Sequence, residues 1–160
     1  MTLAELAAYL RVLEVRAGYA AIPGADKLGG DFRDAIKQRL TALSHARGTR
    51  TPAPPGGPPA MESGDLAGSV TMTPASTPVV AVAPVGPHCS PRDFVQEFGG
   101  DMHARAGNRI GMTFLYGDMY HAQHVSVPPR EYMESTANIV AADGAVASAV
   151  AAAFYAALWG

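Results

Sequence analysis

The stretch from Gly48 to Pro59, GTRTPAPPGGPP, constrains the fold more than any other part of the chain. Its prolines have no amide hydrogen to donate, and its glycines favour the disordered chain, so it cannot hold a helix. It is expected to be a flexible, extended segment over residues 48–60, with a plain linker as its simplest role. It separates a helical N-terminal part from a β-rich middle within one domain spanning residues 1–160.

Before the break, Thr2 and Glu5 have the spacing of a capping box, in which hydroxyl and carboxylate satisfy each other's orphan backbone donors. Leu3, Leu6, Leu10 and Leu13 follow at helical spacing, which predicts an amphipathic helix to about Ala17. Ile22-Pro23-Gly24 is expected to end that pattern. A second helix is predicted from near Asp31, with Phe32, Ile36, Leu40 and Leu43 on one stripe and Arg33, Lys37 and Arg39 off it.

After the break, Leu66 to Thr73 and Thr77 to Val85 are short, rich in Val and Thr and separated by Pro74, so they read as strands. Phe94 to Phe98 reads as a strand ending at Gly99-Gly100, where paired glycines allow positive φ and close backbone approach. Arg109 to Leu115 and Met119 to Val127 flank Tyr116-Gly117-Asp118 as the arms of a hairpin. In the first arm Ile110, Met112 and Phe114 fall on one face. Pro128-Pro129 then ends the hairpin and opens a final helix, on which Val146, Val150, Phe154 and Leu158 share a face and Asp143-Gly144 is a candidate interruption. The expected class is α+β: N-terminal helices, a central antiparallel sheet with a hairpin, and a C-terminal helix.

Composition excludes several function classes. Lys and Arg total 12 and Asp and Glu 14, a net charge of -2, where a dedicated nucleic-acid binder needs a basic excess to neutralise phosphates. Charged residues are only 16% of the chain, which suits a surface largely covered by other subunits. The single cysteine, Cys89, cannot form an internal disulfide. The start of the chain lacks a basic region before its apolar residues, so no secretory leader is expected. The uncharged run from Gly144 to Gly160 falls short of the roughly 20 apolar residues that span a bilayer, and reads as a buried helix.

The candidates for chemistry are few. His103, His121 and His124, with Asp118 nearby, are potential zinc ligands by residue type. On a strand, however, His121 and His124 would point to opposite faces. Cys89 beside His88 sits between Pro87 and Pro91 and reads as a loop thiol without a positioned base. No nucleophile elbow, P-loop, HExxH or dinucleotide fingerprint occurs. No catalytic residue, cofactor or metal ligand is therefore assigned.

The order of the segments carries more than any one of them. Pro54 to Pro59 leads into Gly64-Asp65-Leu66-Ala67-Gly68-Ser69-Val70. Val95-Gln96-Glu97-Phe98-Gly99-Gly100 follows, and Val127-Pro128-Pro129-Arg130-Glu131-Tyr132-Met133 makes a corner before the last helix. In this order the chain resembles the bacteriophage tail-completion and head–tail joining proteins, including the Mu-like virion morphogenesis branch. Glu131 and Tyr132 stand where that family has proline and phenylalanine, and Pro23-Gly24 falls within what is often one long helix.

The resemblance implies a virion protein that is not an enzyme and has no cofactor. It would form a homo-oligomeric ring, a hexamer by family habit, in the head–tail neck after assembly in the host cytoplasm. Its neighbours would be the connector or stopper and the tail terminator or tail tube, around a DNA channel and without sequence-specific DNA contacts or a membrane. Gly64, Leu66, Ser69, Glu97, Phe98, Gly99, Gly100, Pro128, Arg130, Tyr132 and Phe154 are the implied structural or interface residues. The competing expectations are a tail terminator or connector stopper of the same neck, a small metal-dependent enzyme built on the histidines near 103–124, and a DNA-binding accessory factor.

Overall fold

The computed structural model describes residues 2–45, 53, 57–61, 63–86, 92–104, 112–116 and 118–159. Its architecture is mixed α+β, as the sequence pattern requires. Helix α1 spans Leu3–Thr41 and α2 spans Asp65–Ser69. Strands β1 (Val70–Thr77) and β2 (Val79–Pro84) come next, then helix α3 (Arg92–Phe98). Strands β3 (Gly100–His103), β4 (Met112–Tyr116), β5 (Asp118–Ala122) and β6 (His124–Val127) precede α4 (Tyr132–Ala142) and α5 (Gly144–Trp159).

The capping box forms as expected. Thr2 N donates to Glu5 Oε2 at 2.6 Å and Glu5 N donates to Thr2 Oγ1 at 3.2 Å, which fixes the start of α1. The expected break at Pro23 does not occur, and one helix of 39 residues replaces the two. An interior proline removes one hydrogen bond, that to the Tyr19 carbonyl, at a cost of about 3 kcal/mol. Tyr19 and Pro23 are both exposed, so the freed carbonyl lies on a solvent-facing side of the helix, and the packing of the following turns holds the helix together.

Three further expectations are corrected. Residues 66–69 are the helical turn α2, not strand. Gly64 enters it at φ 83, Gly68 N donates to Gly64 O at 2.8 Å, and Ser69 Oγ donates to Leu66 O at 2.7 Å. Pro74 lies inside β1 and does not separate two strands; among the described residues β1 pairs only with β2, and an edge position of that kind accommodates a proline. Residues 94–98 are likewise helical, within α3. Arg92, Asp93, Gln96 and Glu97 are poor strand formers, and Gly99 N closes the last turn onto Val95 O at 3.0 Å. Gly99, at φ 70, is a helix-ending glycine, not a strand-ending one.

The hairpin is present with a shorter second arm than expected. β4 pairs antiparallel with β5 from Met112↔Ala122 to Tyr116↔Asp118, whereas residues 124–127 leave that arm as β6 and pair antiparallel with β3 from Gly100↔Val127 to His103↔His124. Ile110 and the shared face expected of Ile110, Met112 and Phe114 lie outside the described residues. Asp143 interrupts the last helix, as Asp143-Gly144 indicated; its Oδ1 accepts Ala145 N at 2.8 Å and so caps α5. Among the described residues no single helix is long and apolar enough to cross a membrane. α4 and α5 pass that test only as a pair, bent by 71°.

The chain divides into two compact units. One comprises Met1–Asp34, Met72–Val82 and Asn138–Gly160, and the other Ala35–Thr71 and Ala83–Ala137. In the first, α1 is packed on two sides. Asp26 Oδ1 accepts Ala75 N from β1 at 2.7 Å. A Cβ on Gly29 would lie 2.7 to 2.9 Å from Val80 and Met72 side-chain atoms, so only glycine admits this approach. On another side of the helix Gly24 lies against Val150 and Phe154 of α5. In the second unit Ile36, Leu40, Val70, Tyr132 and Thr136 are buried, and they form its interior.

Candidate functional site

The second unit brings together the two motif elements that lie farthest from obvious chemistry, Val95–Gly100 and Val127–Met133. The chain leaves β6 at Val127 and turns through two prolines. Arg130 N then donates to Gln96 O at 2.9 Å and Glu131 N to Glu97 O at 3.1 Å, so the corner takes up two of the orphan carbonyls at the end of α3. Glu131 adopts φ 44, the one non-glycine residue with positive φ among the described residues.

The Glu97 side chain completes the joint. Its Oε2 accepts Met133 N and its Oε1 accepts Glu134 N, each at 2.9 Å. Both oxygens of a buried carboxylate thus satisfy orphan donors in the first turn of α4, where the helix dipole also favours negative charge. Such bonds are charge-assisted and stronger than neutral ones. A carboxylate used in this way holds a helix in place.

Arg130 extends the joint to the Pro-rich segment. Its guanidinium is buried and Nη1 donates to Ala53 O at 3.1 Å. Ala53 is itself buried, so at this residue the segment is anchored and is not a plain solvent-exposed linker. Its flanks are also tied: His45 N donates to Met61 O at 3.0 Å and Met61 N to Leu43 O at 2.7 Å. Tyr132 is fully buried at the start of α4. One turn on, the buried Thr136 hydroxyl donates to Tyr132 O and accepts Arg39 Nη1, at 3.2 Å, from the last turns of α1.

Gly99 sits where the elements are closest. A Cβ there would fall 2.8 Å from Pro129 N and from Val127 O, in a backbone conformation that side chains rarely adopt. The positive φ expected of this glycine pair is therefore present, and close backbone approach makes Gly99 irreplaceable.

Of the sequence candidates, Glu97, Gly99, Arg130 and Tyr132 are brought together in this corner. Gly64, Leu66 and Ser69 build the α2 turn of the same unit. Gly100 opens β3, while Phe98 and Pro128 are exposed. Phe154 belongs to the other unit, where its ring stands edge-on to Tyr155 with centroids 5.6 Å apart. Sequence reasoning missed Ala53, Arg39 and Thr136, because no local pattern links residues from 77 to 97 positions apart.

The histidines are partly regrouped. His103 and His124 face each other across β3 and β6 with ring centroids 4.6 Å apart, and His124 Nε2 lies 3.1 Å from Asp101 Oδ1. The Ser126 hydroxyl, with a smaller contribution from His124, holds the Asp101 carboxyl below the usual carboxylate range. His121 lies on β5, away from this pairing. Among the described residues no group of three or more His, Cys, Asp or Glu has the arrangement to hold a metal ion. His88, Cys89 and the Asp118 side chain lie outside the described residues.

No protein-family model, no curated protein and no solved structure significantly matches the chain.

Proposed function

We propose that this protein is a structural component of a tailed-phage neck: a ring-forming protein that completes the tail and joins it to the head connector. The observation that carries this is the corner itself. The Glu-Phe-Gly element and the Pro-Pro-Arg element, which carry the resemblance, lock onto each other through the Glu97 side chain, Gly99 and the backbone amides of Arg130 and Glu131. Residues that recur as motifs because they fix one backbone joint fit a protein whose work is shape.

The charge pattern agrees. A chain with 16% charged residues and a net charge of -2 suits a ring whose flanks are covered by neighbours and whose channel passes DNA without gripping it. Rings of this kind close by repeating one heterologous contact.

Negative-stain microscopy of particles from a phage lacking the gene tests the proposal. Filled heads beside separate, complete tails are expected, and intact virions at normal yield would overturn it.

A further inference from the structure

The lower part of α1 in its unit is covered on both sides, by β1 and β2 at Asp26 and Gly29 and by α5 at Gly24. The upper part, from Leu3 to Tyr19, is largely bare on both, with Leu13 and Ala17 half-buried at its lower end. Leu3, Leu6, Leu10 and Leu13 run along one face at alternating spacings of three and four, the seam spacing of packed helices. Leu3 is 88% exposed and Leu10 55%. Val12, Val15 and Tyr19 run along the roughly opposite face with the same alternation, and each is more than half exposed.

Most amphipathic helices have one apolar stripe and one solvated face. A helix with two opposed apolar faces at the same level needs two neighbours. We infer that the first five turns of α1 are the seam between copies of this chain, with the leucine face of one copy packed on the Val12–Tyr19 face of the next. A different protein seated on one face would leave the other in water. Identical copies side by side cover both with one repeated contact.

Charge fits this occupant. Arg11 and Glu14 lie along one edge between the two faces, and Glu5 and Arg16 along the other. Each edge carries one acid and one base, so parallel copies meet without net repulsion. A displacement of three residues along the helix, about 4.5 Å, sets Arg11 beside the neighbour's Glu14.

The inference stands on α1 alone and does not need the neck assignment. Its test uses the full chain, a double variant of each face, and light scattering coupled to size exclusion. The wild type is expected to form oligomers that grow with concentration. L6E/L10E and V15E/Y19E should each be monomeric, with an unchanged circular dichroism spectrum because the sites are exposed. Mixed in equal amounts, the two variants should form a heterodimer and nothing larger, since each retains the face the other has lost.

A wild-type monomer at every concentration would overturn the inference, as would a double variant that still oligomerises or a mixture that does not pair. Intact virions from the gene deletion would remove the neck role and leave this seam untouched. A monomeric wild type would do the reverse.

Discussion

The corner around Glu97 and the upper part of α1 present opposite surfaces. At the corner, within one unit, the buried Glu97 carboxylate accepts two backbone donors and the buried Arg130 guanidinium donates to Ala53 O. Along α1 from Leu3 to Tyr19, apolar side chains stand in water while the same helix, further on, is packed on two sides. A buried polar joint is specific because each misplaced atom would leave an unsatisfied partner, so it fixes a single geometry. A bare apolar face fixes nothing by itself and gains its free energy only when covered. One region sets the shape of its unit, and the other is the one for which we propose assembly.

The largest effect that would break this contrast is at Gly99. Gly99→Val places side-chain atoms on Pro129 and Val127 at a residue with φ 70, and is expected to cost about 3 kcal/mol or more, or to prevent folding. Chemical denaturation checks this, and a wild-type midpoint would mean that the corner is not tight. Next is Glu97→Ala, which strips both bonds from the first turn of α4. About 2 kcal/mol should be lost, with Glu97→Gln recovering part of it because one acceptor oxygen remains.

Leu10→Ala sharpens the comparison from the other side. In the isolated monomer it should change stability by no more than about 0.5 kcal/mol, because the side chain is already in solvent. A loss of the size seen in cores, about 2 to 5 kcal/mol, would show that the leucine face is covered within the chain.

The smallest effect is at Asp101. Its depressed folded-state pKa means that its contribution to stability is present above the ordinary carboxylate value of 3.8 and is lost as pH falls through the lower folded value. Ser126→Ala removes the largest cause and should raise the Asp101 midpoint in an NMR titration toward 3.8. An unmoved midpoint would remove Ser126 as the cause.

Local signals were legible where the physics is local. Thr2 and Glu5 announced the start of α1, Asp143-Gly144 the break in the last helix, and Tyr116-Gly117-Asp118 the hairpin. Pro23 misled because a proline penalty of about 3 kcal/mol is set by one residue and overridden by packing from β1, β2 and α5. Residues 94–98 misled because Val95 and Phe98 suggest a strand, whereas Glu97 points inward to cap a helix that begins 35 positions later. The motif order placed Glu97, Gly99 and Arg130 among eleven candidates, but gave neither their grouping nor their task. That task depends on Ala53 and on the start of α4, and no short window contains all of them.

The most direct test of the neck role is a joining reaction. Filled heads and free tails from phage lacking the gene are mixed with purified protein, and plaque-forming particles are counted. Wild-type protein should restore infectivity, and folded L6E/L10E protein should restore little or none. Failure of the wild-type protein to raise the count above the buffer control would contradict the account.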